Sequence, residues 1–215
     1  MRPVHRLQPG RRASSPLRPV RGGDVRTWVG AALLLAVVAA AGAFAQPPQR
    51  YSVADGSRFW VEGTSTVGRF VCRAGTVGGD GRLDSRAPVR GMAEVTAEVA
   101  SFDCGQAQMN RDFVRALRAA EHPAIRLVVT QAEVAEAAGE GASRVRATGR
   151  LRVAGVERPV AFTALATPLG HGRMRIAGSY ALRMTDFGIT PPRGLGGLVR
   201  AHDRLTARFD VTLEP

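Results

Sequence analysis

Residues able to do chemistry are few beyond residue 50 of this chain, and their spacing predicts no catalytic centre. The histidines there are His122, His171 and His202, which stand before a proline, between two glycines and beside an aspartate. No serine or cysteine lies at a spacing that predicts a catalytic triad, and no group of residues has the spacing of metal ligands. We therefore expect no catalytic residue, no metal and no cofactor, and we interpret the histidines as surface or turn residues.

The carboxylates offer a second route to chemistry, because paired acids can exchange protons with a substrate. Asp103, Asp112, Asp186 and Asp203 are the candidates for such acid–base pairs. Asp112 and Asp186 flank an amphipathic stretch and a Phe-Gly turn. We therefore predict that these two cap or bind backbone amides instead.

Two cysteines, Cys72 and Cys104, form the remaining reactive pair. A redox or metal-binding role would call for C-x-x-C spacing or a neighbouring histidine, and neither is present. In an oxidising compartment an even pair favours one structural disulfide, which here closes a loop of about 33 residues and stabilises the fold by about 3–4 kcal/mol.

The first 45 residues have the pattern of an export signal. Arginines are followed by the apolar run "WVGAALLLAVVAAAGAFA", which ends in the small-x-small pattern Ala43-Phe44-Ala45. We predict a signal peptide at residues 1–45 that is cleaved after Ala45, and hence a periplasmic or secreted protein with no stable membrane anchor. An uncleaved anchor is the alternative, since 18 apolar residues nearly span a bilayer.

The positive charge does not indicate nucleic-acid binding. The formal net charge is +12, but loss of the predicted signal leaves 23 arginines against 17 acids, a charge of +6. These arginines stand singly along stretches such as "SRVRATGRLRV", with no aromatic residues between them on which bases could stack. We interpret them as the solvated face of a sheet and expect no nucleic-acid partner.

The rest of the chain is predicted to be one all-β domain at residues 51–215, after a linker at 46–50. Apolar and polar residues alternate in "AEVTAEVAS" and "LTARFDVTL". Eight such stretches either stack as a sandwich or close into an antiparallel barrel. Small residues at inward positions leave volume unfilled, which favours a barrel with a ligand cavity. The inward small residues are Ala93, Ala97, Ala147 and Ala207.

Two segments depart from this alternation. In "MNRDFVRALRAAEHP", Met109, Phe113 and Leu117 recur every four residues, which predicts one amphipathic helix of about three turns that flanks the sheet. The Gly- and Pro-rich segment "MTDFGITPPRGLGGLVRAHD" predicts a long loop over a barrel mouth, either a lid or a packed connection. Arg193 and Arg200 in this loop can pair with an anionic head group.

The hairpin "LRVAGVERPVAF" has its turn at Gly155, where a positive φ is needed, and we predict a connection of about 3–5 residues. Together with "FWVEGTSTVGRFVC", the helix followed by His-Pro, and "MTDFGITPP", this hairpin resembles the YceI-like bacterial proteins. The resemblance covers nearly all of residues 51–213. It implies an extended, eight-stranded, lipocalin-like antiparallel barrel with one helix that holds a polyisoprenoid or a related amphiphilic lipid. The cysteine pair suggests a secreted branch of that family.

From this resemblance and the inward faces we predict an exported, non-enzymatic carrier of a polyisoprenoid, quinone or fatty-acid-like lipid. The alternative is a structural or protein-interaction barrel whose core is filled by its own side chains. The oligomeric state is left open, a homodimer included. The predicted ligand-binding residues are Trp60, Phe70, Val95, Val99, Phe102, Phe113, Leu117, Val145, Leu151, Phe162, Phe187, Ile189 and Phe209.

Overall fold

The computed structural model describes residues 48–84, 90–194 and 198–215, and in them β-strands dominate. The single α-helix among these residues is α1 (Ala107–Ala116). The strands are β1 (Gln49–Val53), β2 (Arg58–Ser65), β3 (Gly68–Arg73), β4 (Val77–Asp84), β5 (Arg90–Glu98), β6 (Ala124–Gly139), β7 (Ala142–Val153), β8 (Val156–Gly170), β9 (Arg173–Arg183), β10 (Arg193–Gly194) and β11 (Val199–Glu214).

The strands close into an eight-stranded antiparallel barrel. β4 to β9 pair in chain order, and β9 pairs with β11. On its other edge, β11 pairs with β2 and, at its end, with β1, while β3 and β4 pair with β2 and β1. β1 and β2 together occupy one strand position of the wall, and β3 and β4 together occupy another, so the closed ring contains eight strands.

Alternation along each strand places one set of side chains inside the barrel. In β11, Leu205, Ala207 and Phe209 face the interior, whereas Arg208 and Asp210 form ion pairs on the outer wall. This is the period of two that the sequence shows, because successive side chains of a strand point to opposite faces. The predicted all-β fold, an eight-stranded barrel with one helix, is confirmed.

The turn between β7 and β8 is tighter than the predicted 3–5 residues. It consists of Ala154 and Gly155 alone, whose φ angles are +48° and +84°. Two consecutive positive φ values are typical of the primed turns that suit the twist of a hairpin. A Cβ atom on Gly155 would lie 2.5 Å from Nε2 of His122. The turn therefore excludes a larger residue both by its backbone and by its contact with the His-Pro segment.

Pro159 lies inside β8 opposite Arg150, farther from a strand end than its missing N–H would suggest. In an antiparallel hairpin, residue pairs that exchange hydrogen bonds alternate with pairs that do not, starting with a bonded pair at the turn. Arg150 and Pro159 form the fourth pair from the turn, a non-bonded one, so the nitrogen of Pro159 points away from β7. On that side, β8 pairs with β9 only from Ala164 onward. The proline therefore removes no ladder hydrogen bond.

A packed cluster lies between α1 and the adjoining end of the barrel. The Phe102 ring stacks on Phe113 with centroids 4.7 Å apart and meets Phe59 edge-on at 5.9 Å. The disulfide Cys72–Cys104 joins β3 to the segment that leads into α1, which confirms the predicted bridge. Arg73 and Asp103 beside it exchange two backbone hydrogen bonds of 2.8 Å.

Three boundaries differ from those predicted or lie outside the described residues. The helix begins at Ala107 and ends at Ala116, because Arg118 adopts a left-handed φ of +51° that stops it before His122. β1 begins at Gln49, within the predicted linker, because it pairs with β4. The predicted signal peptide, residues 1–45, lies outside the described residues. No helix in the described residues is both long and apolar enough to cross a bilayer.

We predict that replacing both cysteines with alanine lowers the free energy of unfolding by about 3–4 kcal/mol, because the unfolded chain then regains the freedom of a loop of about 33 residues. Guanidinium unfolding at pH 7 measures this. Dithiothreitol should destabilise the wild-type protein by a similar amount and leave the double variant unchanged. Equal stability of oxidised and reduced wild-type protein would contradict the prediction.

Asp210 gives the outer wall a dependence on pH. Hydrogen bonds from Arg175 and Arg58 lower the pKa of its carboxyl from 3.8 to about 2 despite partial burial. Because the folded-state pKa is lowered, the ionised carboxylate of Asp210 stabilises the fold fully above about pH 4. This contribution to the free energy of unfolding is lost as the pH falls from about 4 towards 2. Both arginines are more than half exposed, so solvent screening limits the effect to about 1–2 kcal/mol.

We therefore expect Asp210→Asn to be less stable than the wild type at pH 7, with the two stabilities converging near pH 2. Urea unfolding measured across that pH range checks this. The matched control is Asp55→Asn, an exposed aspartate that makes no ion pair within the described residues. If the difference in unfolding free energy between the wild type and Asp210→Asn stays constant with pH, the lowered pKa of Asp210 is contradicted.

Candidate functional site

The interior of the barrel contains a cavity of about 1290 Å³. Its middle is lined by aliphatic and aromatic side chains from the inward faces of the strands, and charged residues line it only near its two ends. This volume exceeds the range of about 300–1,000 Å³ usual for small-molecule pockets. The structural or protein-interaction alternative predicts a core filled by side chains. The described residues instead surround a cavity.

Nine of the thirteen predicted ligand-binding residues line this cavity. They come from β3, β5, β7, β8, β11, the helical segment and the loop after β9, and are brought together by closure of the ring. Their role in binding stays a prediction. They are Phe70, Val95, Phe113, Leu117, Val145, Leu151, Phe162, Ile189 and Phe209.

The other four predicted residues do not line the cavity. Trp60 alternates with the inward Val61, and its Nε1 donates to Oε1 of Glu62 at 2.8 Å. Val99, Phe102 and Phe187 belong to the packed cluster and are at most 3% exposed. The inward–outward alternation of strand side chains does not apply to Val99, Phe102 and Phe187, because they do not lie in strands. Each lies in or beside one of two 3₁₀ turns, Val99–Ser101 and Thr185–Phe187.

Sequence analysis missed the contribution of β9 to the cavity. Ile176, Tyr180 and Leu182 line it, on the face that Gly178 shares. The same alternation that identified β11 is present in "MRIAGSYALRM" and could have found them. Tyr180 adds a hydroxyl to an apolar wall, and within the described residues this hydroxyl has no hydrogen-bond partner.

Two glycines on the inner wall determine where aromatic rings lie. Gly63 is opposite Phe70, and a Cβ atom there would be 2.3 Å from Cζ of that ring. Gly178 is opposite Phe209, with a corresponding distance of 2.6 Å. In both pairs the ring covers the bare backbone of the opposite strand, so it lies along the wall and leaves the middle of the barrel open.

The end of the cavity beside α1, here called the helix-side mouth, carries polar and charged groups. It is bordered by Val67 between β2 and β3, by Arg69 of β3, by Gln106 and Asp112, and by Arg193 of β10. Asp112 accepts hydrogen bonds from Gln108 and Arg115, so its charge is compensated. In the part of the chain that the structure describes, Arg193 forms no ion pair. The mouth therefore has an excess of cationic groups.

The opposite end of the cavity, here called the far rim, is largely apolar. Met92 and Val134 line it and are 58% and 46% exposed. Leu83, Pro168 and Met174 also border it, together with the charged residues Arg82 and Glu133.

The residues considered for catalysis have structural surroundings. Asp103 accepts from the backbone N–H of Gly105 at 2.9 Å, which lowers the pKa of its carboxyl. Asp203 accepts from the backbone N–H and the hydroxyl of Thr185, and its pKa is lowered mainly by the former. The amide-binding role predicted for Asp112 and Asp186 thus belongs to Asp103 and Asp203, which lie where the turns expose N–H groups.

The three histidines do not converge. His171 lies in the turn between β8 and β9, Nδ1 of His202 is 2.9 Å from Oγ1 of Thr64, and His122 packs on the turn after β7. Within residues 48–84, 90–194 and 198–215, no three His, Cys, Asp or Glu side chains are grouped so as to hold a metal ion.

We predict that Gly178→Ala lowers the free energy of unfolding by about 1–3 kcal/mol, because the new methyl group forces the Phe209 ring away from the wall into the cavity. Urea unfolding measures the loss. Ser179→Ala, the adjacent outward position, should change it by less than about 0.5 kcal/mol. Gly178→Ala combined with Phe209→Leu should recover part of the loss; additive losses would argue against ring displacement.

Comparison with known proteins connects this geometry to a family. No curated protein sequence matches the chain. Among solved structures, BcnA of Burkholderia cenocepacia matches with 18% identity and a TM-score of 0.59, over 73% of this chain and 95% of BcnA. A polyisoprenoid-binding domain from Saccharophagus degradans matches with 14% identity and a TM-score of 0.59, over 76% of this chain and 97% of that domain.

The YceI protein of Campylobacter jejuni matches with 15% identity and a TM-score of 0.52, over 67% of this chain and 84% of its own. At such identities these likenesses establish the fold. The family itself is given by the sequence model of the YceI-like domain, which matches residues 52–213. With an eight-stranded barrel around an apolar cavity and a family model that spans it, this chain belongs to the YceI-like family.

Proposed function

We propose that this protein is a non-enzymatic carrier of an amphiphilic lipid, a polyisoprenoid, quinone or fatty-acid-like molecule, whose apolar chain occupies the barrel. The observation that carries the proposal is the cavity of about 1290 Å³, with an apolar middle and charged residues only towards its ends. Family membership supports it, as does the similarity to a domain named for polyisoprenoid binding.

The apolar wall accounts for affinity without any reactive group. Each methylene removed from water contributes about 0.8 kcal/mol, so a chain of ten methylenes contributes about 8 kcal/mol, which corresponds to micromolar binding. The unpaired hydroxyl of Tyr180 can donate to a carbonyl or ether oxygen along the chain. Such a contact would favour a ligand with one polar atom within its apolar part, such as a quinone, over a plain hydrocarbon.

The charged groups suggest an orientation for the ligand. Arg69 and Arg193 border the helix-side mouth, and the amides of Gln106 and Gln108 lie beside them. A guanidinium pairs with phosphate or carboxylate through two parallel hydrogen bonds. We therefore place the polar head group at this mouth and the chain end towards the far rim, where Met92 and Met174 supply flexible apolar surface.

Export completes the proposal. The predicted signal peptide at residues 1–45 and the disulfide between Cys72 and Cys104 both favour an oxidising compartment, the periplasm or the exterior. The carrier would then move its lipid through an aqueous space, in which a closed apolar barrel shields the chain from water.

Native mass spectrometry of the protein purified from its own host tests both lipid binding and cleavage of the signal peptide. We expect a protein mass that corresponds to residues 46–215, together with a bound species in the mass range of a long-chain lipid. A protein that is uniformly empty and also fails to bind added quinone or prenyl phosphate would refute the carrier. A full-length mass would refute cleavage alone.

A variant that fills the cavity distinguishes lumenal from surface binding. Ala164 is buried on the inner face of β8, whereas Ala161 is exposed on the outer face of the same strand. We predict that Ala164→Phe lowers affinity for a fluorescent fatty acid at least tenfold, because the ring occupies volume needed by the chain, and that Ala161→Phe has no effect. Circular dichroism confirms that both variants fold. Unchanged affinity in a folded Ala164→Phe protein would contradict lumenal binding.

A further inference from the structure

Two exposed apolar side chains lie on neighbouring turns at the helix-side mouth. Val67, between β2 and β3, is 73% exposed, and Leu198, immediately before β11, is 82% exposed. The turns are tied together: the N–H of Thr66 donates to the carbonyl of Arg200 at 3.0 Å, and its hydroxyl donates to the carbonyl of Leu198 at 3.3 Å. The apolar pair is therefore a defined surface feature of the fold.

Cationic side chains surround this pair. Arg69, Arg193 and Arg200 are exposed, and within the described residues none of them forms a side-chain hydrogen bond or an ion pair at contact distance. The acidic groups near them are already bonded to other partners: Glu62 to Arg208 and Trp60, and Asp112 to Arg115 and Gln108. We call Val67, Leu198 and these three arginines the mouth patch.

The mouth patch has the composition of a surface that docks on anionic lipid. Apolar tips gain free energy by entering the boundary between head groups and acyl chains, and each arginine near an anionic bilayer strengthens partition about fivefold. The far rim carries charges of both signs, because Arg82 lines it beside Met92 and Glu133, Glu136 and Glu140 lie there, with Glu136 paired to Arg144. The mouth patch differs in having three arginines and no acidic residue of its own.

We propose that the helix-side mouth docks on the surface of an anionic phospholipid bilayer, with Val67 and Leu198 inserted and the three arginines on the lipid head groups. Docking by itself does not depend on the lumenal ligand. Its consequence for transport rests on the proposed function: a mouth that faces the bilayer would let a lipid pass between membrane and barrel without crossing water.

Vesicle flotation tests the docking. We expect the ligand-free protein to float with vesicles of phosphatidylcholine containing about 30% phosphatidylglycerol, to bind phosphatidylcholine alone far more weakly, and to be released by about 0.5 M NaCl. Replacing Arg69, Arg193 and Arg200 with glutamine should weaken binding on the order of a hundredfold. Val67→Ser with Leu198→Ser should weaken it at least about tenfold.

Matched variants elsewhere on the barrel provide the control. Arg50, Arg146 and Arg173 are exposed arginines away from the mouth, and Leu165 and Leu169 are exposed leucines of β8, each 41% exposed. Replacing these arginines with glutamine and these leucines with serine removes the same charge and part of the same exposed apolar surface, and it should preserve most of the vesicle binding. A wild-type protein that fails to float, or control variants that lose as much binding as the mouth variants, would overturn the proposal.

The cavity-filling variant separates this proposal from lumenal binding. Ala164→Phe should lose the fluorescent fatty acid and still float with anionic vesicles. Loss of flotation in a folded Ala164→Phe protein would show that vesicle binding requires the lumen and would overturn docking by the mouth patch.

Discussion

Closure of the hydrogen-bond ladder at β11 is the constraint on which the rest of this structure depends. β11 pairs with β9 along one edge and with β2 and β1 along the other, so every strand of the wall has two neighbours. Eight strands enclose an interior that side chains can fill only if enough of them are large. Here the inward side chains line a cavity of about 1290 Å³, and the space left by Gly63 and Gly178 is taken by the rings of Phe70 and Phe209.

A packed cluster flanks the helix-side mouth, whereas the barrel interior is hollow, and the two regions have different physical origins. In the packed cluster, Phe102, Phe113 and the Cys72–Cys104 bridge hold α1 against the barrel. In the hollow part, the rings of Phe70 and Phe209 lie over the backbone of Gly63 and Gly178, and Phe162 meets Phe209 edge-on at 5.6 Å. The lumen stays open beside the anchored helix, as the proposed carrier of a long chain requires.

Charge is distributed to match that division. On the outer wall, several arginines are paired with acids, and Asp210 joins β2, β9 and β11 through two of them. At the helix-side mouth, Arg193 and Arg200 remain without such partners in the described part of the chain. The proposed head-group position and the proposed membrane docking both rest on these unpaired arginines at the helix-side mouth. Relatives at 14–18% identity share the fold because alternation and turn geometry need few particular residues.

Much of this architecture could be predicted from the amino-acid sequence, because its signals are local. A period of two predicts which side chains of β5, β7, β8 and β11 face inward, and export context with an even cysteine count predicts the disulfide. Turn chemistry locates Gly155, although the length of that turn follows from the left-handed φ of Ala154, which no residue preference announces.

Tertiary structure decided which apolar residues line the cavity and which lie in the packed cluster, because local sequence patterns do not contain this information. Val99, Phe102 and Phe187 are apolar like the lining residues, but they lie in or beside 3₁₀ turns that carry them into the packed cluster and out of the lumen. Tyr180 joins the lining because β9 pairs with β11 in the closed ring, and Thr66 bonds to Leu198 across 132 positions of chain, which brings the turn of Val67 beside that of Leu198. Alternation assigns a residue to a face; the closed ring decides which residues of that face surround empty space.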